Sequence, residues 1–410
     1  MNKTPKSLRL HIGLFGRRNV GKSSVLNALV KQQVAIVSAQ AGTTTDPVEK
    51  VMELKPIGPV VFIDTAGIDD EGALGKARME QTSKVLNRTE LAILVSDEWT
   101  RYESQLVTLF EQRNIPFVVA ANKADIRKDR NLEQAAGDKR IRFITTTNAL
   151  AGTGIDDLRQ AVIEAAPEEF TCSAPIIADL VKPEGLVMLV TPIDIEAPKG
   201  RLKMLQVHCM REILDAGGMV VLTKETELSS ALEGLNGQPD LIVTDSQVFN
   251  KCVSIAPPGV RMTTFSILMA RFTGQLDELA EGVQMIGSLK PGDKVLIAEA
   301  CTHHPIGEDI GRKQIPRLLA EYVGGPLDID VIAGRDFPDN LGRYKLIIHC
   351  GACVFNRKEM LWRIEQAVEA NVPITNYGMA ITYLQGDFER AMEPLLLPSV
   401  ESLENTDMTI

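Results

Sequence analysis

The chain has 410 residues, 44% hydrophobic and 24% charged, with a formal net charge of −10. That length exceeds one ordinary domain, and the acidic balance argues against a duplex- or RNA-binding face, which needs an excess of Lys and Arg. No run of eighteen apolar residues marks a membrane span, residues 1–16 carry no export signal, and six cysteines in that setting read as free thiols or metal ligands. The expectation is a cytoplasmic protein of several α/β domains that binds neither nucleic acid nor membrane.

The first predicted domain spans residues 1–170. Residues 8–15 read as a buried strand that feeds Gly16-Arg-Arg-Asn19-Val20-Gly21-Lys22-Ser23, a full P-loop pattern, followed by a helix-forming run from Ser24 to residue 31. Glycines let the backbone wrap the β-phosphate with its N–H groups inward; Lys22 pairs with the β/γ oxygens and the Ser23 hydroxyl ligates Mg²⁺. The apolar run 60–63 ends in Asp64-Thr-Ala-Gly67, where Asp64 holds Mg²⁺ through water and the Gly67 N–H meets the γ-phosphate. A second run, 117–121, ends in Asn122-Lys123-Ala-Asp125. The Asp125 carboxylate accepts from both guanine N1–H and N2–H, a pairing adenine cannot make, so the nucleotide is GTP or GDP. Each motif lies at the C-terminal end of a predicted strand, where open α/β sheets bind ligands.

Over residues 8–168 these motifs resemble the P-loop GTPases typified by Era, Der and the tRNA-modification GTPases. The resemblance implies that Gly42-Thr43-Thr44-Thr45-Asp46 is switch I, with Thr44 on Mg²⁺. It implies that Asn19 helps to bind a stimulating K⁺, and that Asn148-Ala149 is the last guanine motif. Ile68 follows Gly67 where Ras-like enzymes carry a glutamine that orients water, so unaided hydrolysis is expected to be slow.

Past a Pro-containing linker, residues 175–265 alternate apolar runs (185–190, 219–222, 241–244) with a helical run over 202–216, which predicts a small parallel sheet. Cys172, Cys209 and Cys252 stand alone and read as small buried hydrophobes. Without a catalytic constellation, this segment suits dimerisation.

In residues 266–410, the predicted strand 293–299 leads into Cys301-Thr-His303-His304, and the predicted strand 344–348 leads into His349-Cys350-Gly-Ala-Cys353. Adjacent strands would bring Cys301 close to the Cys350/Cys353 pair. A helix over 356–370 would aim its N-terminus at the thiolates. Spacing alone leaves four readings open: a structural zinc site, a redox dithiol, a three-cysteine iron–sulfur cluster, and thiols without a role.

The conjunction of this C-x-H … H-C-x-x-C pattern with an N-terminal GTPase resembles, across essentially the whole chain, the [FeFe]-hydrogenase maturation GTPases. That resemblance implies a [4Fe–4S] cluster on Cys301, Cys350 and Cys353. It further implies a scaffold that receives a two-iron precursor from radical-SAM maturation enzymes (HydE and HydG type) and delivers it to apo-[FeFe]-hydrogenase. His303, His304, His349, Glu308 and Asp309 are the candidates for a weak fourth ligand, and each histidine could equally donate a hydrogen bond to a cluster sulfur or to backbone.

The resulting expectation is a homodimer built from an α/β P-loop GTPase domain with a mainly parallel sheet (1–170), a small α/β dimerisation domain (175–265) and an α/β cluster domain (266–410). Lys22, Ser23, Thr44, Asp64 and Gly67 carry GTP hydrolysis. Gly16, Asn19, Val20, Gly21, Ser24, Asn122, Lys123, Asp125, Asn148 and Ala149 complete the nucleotide-binding set. Two alternatives from other classes remain: a ribosome-assembly or RNA-modification GTPase with a zinc-binding tail, and a nucleotide-gated thiol oxidoreductase.

Overall fold

A computed structural model describes residues 9–31, 48–65, 82–126, 137–171, 175–192, 204–235, 237–273, 275–300, 309–352 and 354–396. The chain divides into two compact units, Met1–Ser173 with Phe355–Glu359, and Ala174–Val354 with Met360–Ile410. Among the described residues no helix is long and apolar enough to cross a membrane.

The first unit holds a six-stranded sheet in the order β2-β3-β1-β4-β5-β6, made of β1 (Leu10–Phe15), β2 (Val48–Leu54), β3 (Gly58–Asp64), β4 (Leu91–Ser96), β5 (Phe117–Ala121) and β6 (Ile144–Thr146). β2 is an antiparallel edge on β3, and the remaining pairs are parallel. A parallel strand covered on both faces must be apolar on both, which is why β1 and β4 are buried throughout. Alternation then sorts the side chains. Leu10, Ile12 and Leu14 pack with residues of helices α1 (Lys22–Lys31) and α3 (Ile155–Ala165), while Phe15 packs with those of α2 (Arg101–Gln112) on the other face. α1 begins at Lys22 rather than at Ser24, so the last two residues of the P-loop pattern already belong to the helix whose first turn faces the phosphate position.

In the second unit two parallel four-stranded sheets share one apolar core. The first, in the order β10-β9-β7-β8, contains β7 (Leu186–Val190), β8 (Met219–Thr223), β9 (Leu241–Thr244) and β10 (Arg261–Thr264), with helix α4 (Met204–Asp215) between β7 and β8. The second, in the order β12-β11-β13-β14, contains β11 (Lys294–Glu299), β12 (Asp328–Ala333), β13 (Leu346–His349) and β14 (Ile374–Asn376). A single cluster runs from Met188, Ile242 and Met262 to Ile297, Ile348 and Met379. The segments expected as separate domains either side of residue 265 thus join through a common core. The seam is closed by helix α5 (Phe265–Phe272), capped by Thr264, whose hydroxyl accepts from the Ile267 N–H at 3.2 Å. It is followed by helix α6 (Leu276–Gln284), where Gly282 is required: a Cβ there would lie 1.9 Å from the Ile374 carbonyl oxygen of β14. Helix α7 (Arg357–Glu369) falls where residues 356–370 predicted one.

Phe110 is fully buried with its ring centroid 5.2 Å from that of Phe15 and 5.4 Å from that of Phe117. Phe110→Ala should therefore cost about 3–5 kcal/mol of unfolding free energy by transfer and cavity terms. Urea unfolding followed by circular dichroism reads this as a lowered first midpoint; an unchanged midpoint would refute the packing described.

Candidate functional site: a nucleotide cleft and a cysteine-bearing sheet edge

The phosphate loop leaves β1 through Gly16, whose φ of +143° suits glycine and whose Cβ, if present, would lie 2.2 Å from the Val95 carbonyl oxygen. Asn19 at the loop tip is exposed and left-handed, with φ of +60°, a conformation asparagine tolerates better than most residues. Lys22 is buried, and its ammonium donates to the carbonyl oxygens of Gly16 (3.0 Å) and Arg17 (2.9 Å), which fixes it inside the curl of the loop. The Ser23 hydroxyl donates to Asp64 Oδ2 at 2.6 Å. Parallel pairing of β1 with β3, in register Leu14 opposite Asp64, brings these two together from 41 residues apart. Asp64 Oδ1 is buried and, among the described residues, has no hydrogen-bond partner. A hydroxyl and a carboxylate with an unsatisfied oxygen are a donor set that fits a hard divalent cation such as Mg²⁺.

Immediately after β5, which β4 separates from β1, Asn122 braces the cleft. Its Nδ2 donates to the Val20 carbonyl (2.9 Å), and its Oδ1 accepts from the Ala149 N–H (3.1 Å) and the Thr147 hydroxyl (3.3 Å). Gly16, Asn19, Val20, Gly21, Asn122, Lys123, Asp125, Asn148 and Ala149 on loops, Lys22, Ser23 and Ser24 in the first turn of α1, and Asp64 at the end of β3 therefore all lie at one end of this sheet. Thr44, Gly67 and Ile68 lie outside the described residues. Sequence reading missed Arg17, Asp97 and Glu103, which interlock beside the phosphate loop. The one signal for them was Thr100-x-x-Glu103, a capping-box pattern that α2 realises in full.

In the second unit, β11 and β13 pair in parallel with Ala298 opposite His349. The Cys350 N–H donates to the Ala298 carbonyl at 2.8 Å, and the Ala300 N–H donates to Cys350 Sγ at 3.1 Å. The thiol of Cys350 thus sits against the residue that immediately precedes Cys301. Cys301, His303, His304, Glu308 and Cys353 lie outside the described residues, and among the described residues no group of three or more metal-ligating side chains forms. Asp309 is buried and caps the helical segment that follows it, its Oδ1 accepting from the Arg312 N–H at 2.8 Å.

His349 is fully buried. An arginine is always protonated, so Arg363 donates to His349 Nε2 (2.9 Å), and the proton on Nδ1 is donated to the Cys350 carbonyl (2.8 Å). Both ring nitrogens are committed in this arrangement, which gives His349 the place of a hydrogen-bonding support for the cysteine loop. Burial, followed by the charge of Arg363, lowers its pKa to about 3. Cys209 and Cys252 are buried and lie apart from this edge; burial, then the charge of Glu212, pushes the Cys209 thiol up to about 12.

Three family models match the chain: the Hydrogen maturase F dimerization domain over residues 176–274, the Hydrogen maturase F tetramerization domain over 277–394, and the 50S ribosome-binding GTPase over 11–123. The chain belongs to the hydrogen maturase F family. In this hydrogen maturase F chain the GTPase match covers the phosphate loop, Asp64 and Asn122, and the tetramerization match covers the cysteine-bearing edge. Among curated relatives, tRNA modification GTPase MnmE of Aquifex aeolicus is 33% identical over 166 residues, 40% of this chain and 36% of that protein. GTPase Der of Wolinella succinogenes is 33% identical over 177 residues, 40% of this chain and 37% of that protein. The chain thus spans just over a third of the length of the curated relatives it matches. Of solved structures, Era of Aquifex aeolicus aligns at 20% identity over 52% of this chain and 93% of that chain, with a TM-score of 0.33. The G domain of T. maritima FeoB aligns at 21% identity over 38% of this chain and 98% of that chain, with a TM-score of 0.30.

An imidazole whose folded pKa lies below its unfolded value makes the native state bind fewer protons than the unfolded chain. Its contribution is therefore complete above the unfolded value of 6.5 and is lost as pH falls towards about 3. Metal-free protein should lose stability on the order of 1 kcal/mol per pH unit across that window, and His349→Gln should flatten the slope. Urea titrations at stepped pH measure it; equal slopes in both proteins would sink the assignment.

Proposed function

We propose that this hydrogen maturase F protein is a GTP-hydrolysing scaffold that carries a [4Fe–4S] cluster on Cys301, Cys350 and Cys353 and serves [FeFe]-hydrogenase maturation. The observation that carries the reading is the β11–β13 pairing, which sets the Cys350 thiol against the backbone beside Cys301. The membership of the family and the GTPase match at the N-terminus support it. The donor chemistry fits: a thiolate that accepts a backbone N–H is the kind of ligand iron–sulfur clusters take, and such hydrogen bonds tune their potentials. His349, with both nitrogens engaged, acts as support, and the weak fourth ligand comes from His303, His304 or Glu308. When bound, the cluster supplies an iron site with an exchangeable ligand.

The two-iron precursor is cargo on this reading, received from radical-SAM partners of the HydE and HydG type and passed to apo-hydrogenase. At the nucleotide end, water attacks the γ-phosphorus of GTP while the bond to the β–γ bridging oxygen breaks, leaving GDP and phosphate. Lys22 and the amides of the phosphate loop hold the β- and γ-oxygens, and Ser23, Asp64 and Thr44 hold Mg²⁺, which neutralises phosphate charge. The Gly67 N–H meets the γ-phosphate, Asp125 with Lys123 selects guanine, and Asn19 holds K⁺. Nucleotide state selects the partner by ordering switch I near Thr44 and switch II after Gly67.

Oligomerisation accompanies this role, since the family models are those of a dimerization and a tetramerization domain. β8 is an edge strand whose Met219 and Leu222 are exposed, and Leu214 of α4 is exposed beside them in the sequence order of the same module. An edge strand with exposed apolar side chains suits pairing with a second copy of the chain.

Two experiments test the proposal. Anaerobically reconstituted and reduced protein should give a low-temperature EPR signal of a [4Fe–4S] cluster, with about four irons per chain. Cys350→Ala should abolish the signal, whereas His349→Gln should keep its iron. Zinc bound without iron would instead favour the RNA-modification GTPase with a zinc tail. Separately, replacing Na⁺ by K⁺ should raise GTP turnover about tenfold or more, and Asn19→Ala should remove the stimulation. Equal rates in the two salts would exclude the K⁺ role.

A further inference from the structure

Arg17, the second residue of the phosphate loop, is tied down by three hydrogen bonds. Its Nε donates to Glu103 Oε1 (2.8 Å), and one terminal nitrogen donates to Asp97 Oδ1 (3.1 Å) and to the Glu98 carbonyl (2.8 Å). Glu103 is fully buried in the first turn of α2, and its other oxygen accepts from the Thr100 N–H (2.9 Å) and hydroxyl. Asp97, just after β4, has a second oxygen that accepts from the Lys123 ammonium at 2.9 Å. Lys123 is itself part of the guanine motif and sits in a left-handed conformation, φ +63°. Two acids and two bases thus alternate from the phosphate loop, through the α2 cap, to the base-recognition loop, with no net charge. A buried carboxylate such as Glu103 is tolerated because both its oxygens are bonded and a cation lies against one of them. Burial opposes the Arg17 charge, but the bond and charge of Glu103, with Asp97 and Glu98, outweigh it and hold the guanidinium above its usual range.

We propose that Arg17, Glu103, Asp97 and Lys123 form an ionic brace that positions the phosphate loop against the guanine motif, and that this brace sets guanine-nucleotide affinity rather than the rate of bond cleavage. The proposal rests on the nucleotide-binding part of the reading above and is independent of the cluster. A brace formed before the reaction and unchanged during it stabilises ground and transition states alike. Its loss should raise Kd and KM together and leave kcat nearly untouched. It also assigns Arg17 away from the γ-phosphate: a guanidinium engaged at Glu103 and Asp97 is not a transition-state cation. Lysine cannot reproduce the two-acid fork, so Arg17→Lys should restore little.

The experiment measures Kd for GDP by calorimetry with Mg²⁺, steady-state GTP hydrolysis, and thermal unfolding of the full chain. The proteins are wild type, Arg17→Met, Arg17→Lys, Asp97→Asn and the Arg17→Met/Asp97→Asn double variant. Arg17→Met should raise Kd and KM about 10- to 100-fold with kcat within about threefold, and the double variant should be no worse than the more severe single variant. Thermal unfolding separates a folded protein with weak affinity from a destabilised one. A lowered melting temperature with wild-type Kd would make the network merely structural and overturn the proposal. A large loss of kcat at unchanged Kd would overturn it in the other direction, by giving Arg17 a transition-state role. If wild type itself failed to bind GDP, the nucleotide reading would fall, an outcome distinct from the variants binding as wild type does.

Discussion

Leu14 of β1 stands opposite Asp64 of β3, and the chemistry of the first unit follows from that parallel register. One residue of slip would turn Asp64 to the other face of the sheet and withdraw its carboxylate from the Ser23 hydroxyl. The register is held by apolar side chains buried on both faces of β1, so the core and the site are specified by the same residues. Parallel strands all point one way, and the loops at their C-terminal ends must converge. The second unit meets the same constraint with other side chains: Ala298 opposite His349 in β11 and β13 brings Cys350 to the backbone beside Cys301.

The polar groups buried behind these loops are costly unless every partner is present, and here the partners also set geometry. Asn122 spends its amide on Val20 and its carbonyl oxygen on Ala149 and Thr147, joining three loops with one side chain. His349 spends both nitrogens, which fixes its tautomer and turns the Cys350 carbonyl inward. Removing Arg363 would leave an imidazole lone pair buried without its donor, so the pair holds together more firmly than either member alone would.

How much of this was legible in the sequence depends on the span of each interaction. The phosphate loop and the Asn122-Lys123-x-Asp125 motif are contiguous, and each one's chemistry is written in its own few residues. The strands preceding them are apolar runs too short for buried helices. The alternating strands and helices of residues 175–265 announced a small parallel sheet, and the structure has it. The shared core of the two sheets was not legible, because the side chains that form it, such as Met188 and Ile348, look the same whether they bury within one domain or between two. Nor was the pairing of Arg17 with Glu103, 86 residues apart. In a P-loop, an arginine suggests phosphate, and only the fold reveals two carboxylates in its reach. The standing of His349 was ambiguous for a related reason: adjacency to cysteine suggests a ligand, whereas the arginine that occupies its Nε2 comes from a helix 14 residues on.

The Arg17 brace bears on how charge is balanced during hydrolysis. A guanidinium shared between Glu103 and Asp97 is already neutralised, and drawing it towards the γ-phosphate would leave Glu103 buried without its counter-ion. That penalty is of the size that breaking a buried pair carries, several kcal/mol. The loop instead exposes Asn19 at its tip, in a left-handed turn that holds the side chain clear of the sheet-facing residues around it. On the proposed reading, a monovalent cation at Asn19 supplies the charge that Arg17 cannot. The same sequence position that Ras-like enzymes fill with glutamine is Ile68 here. On that reading, with an ion balancing charge and isoleucine following Gly67, turnover would depend on what orders the switches.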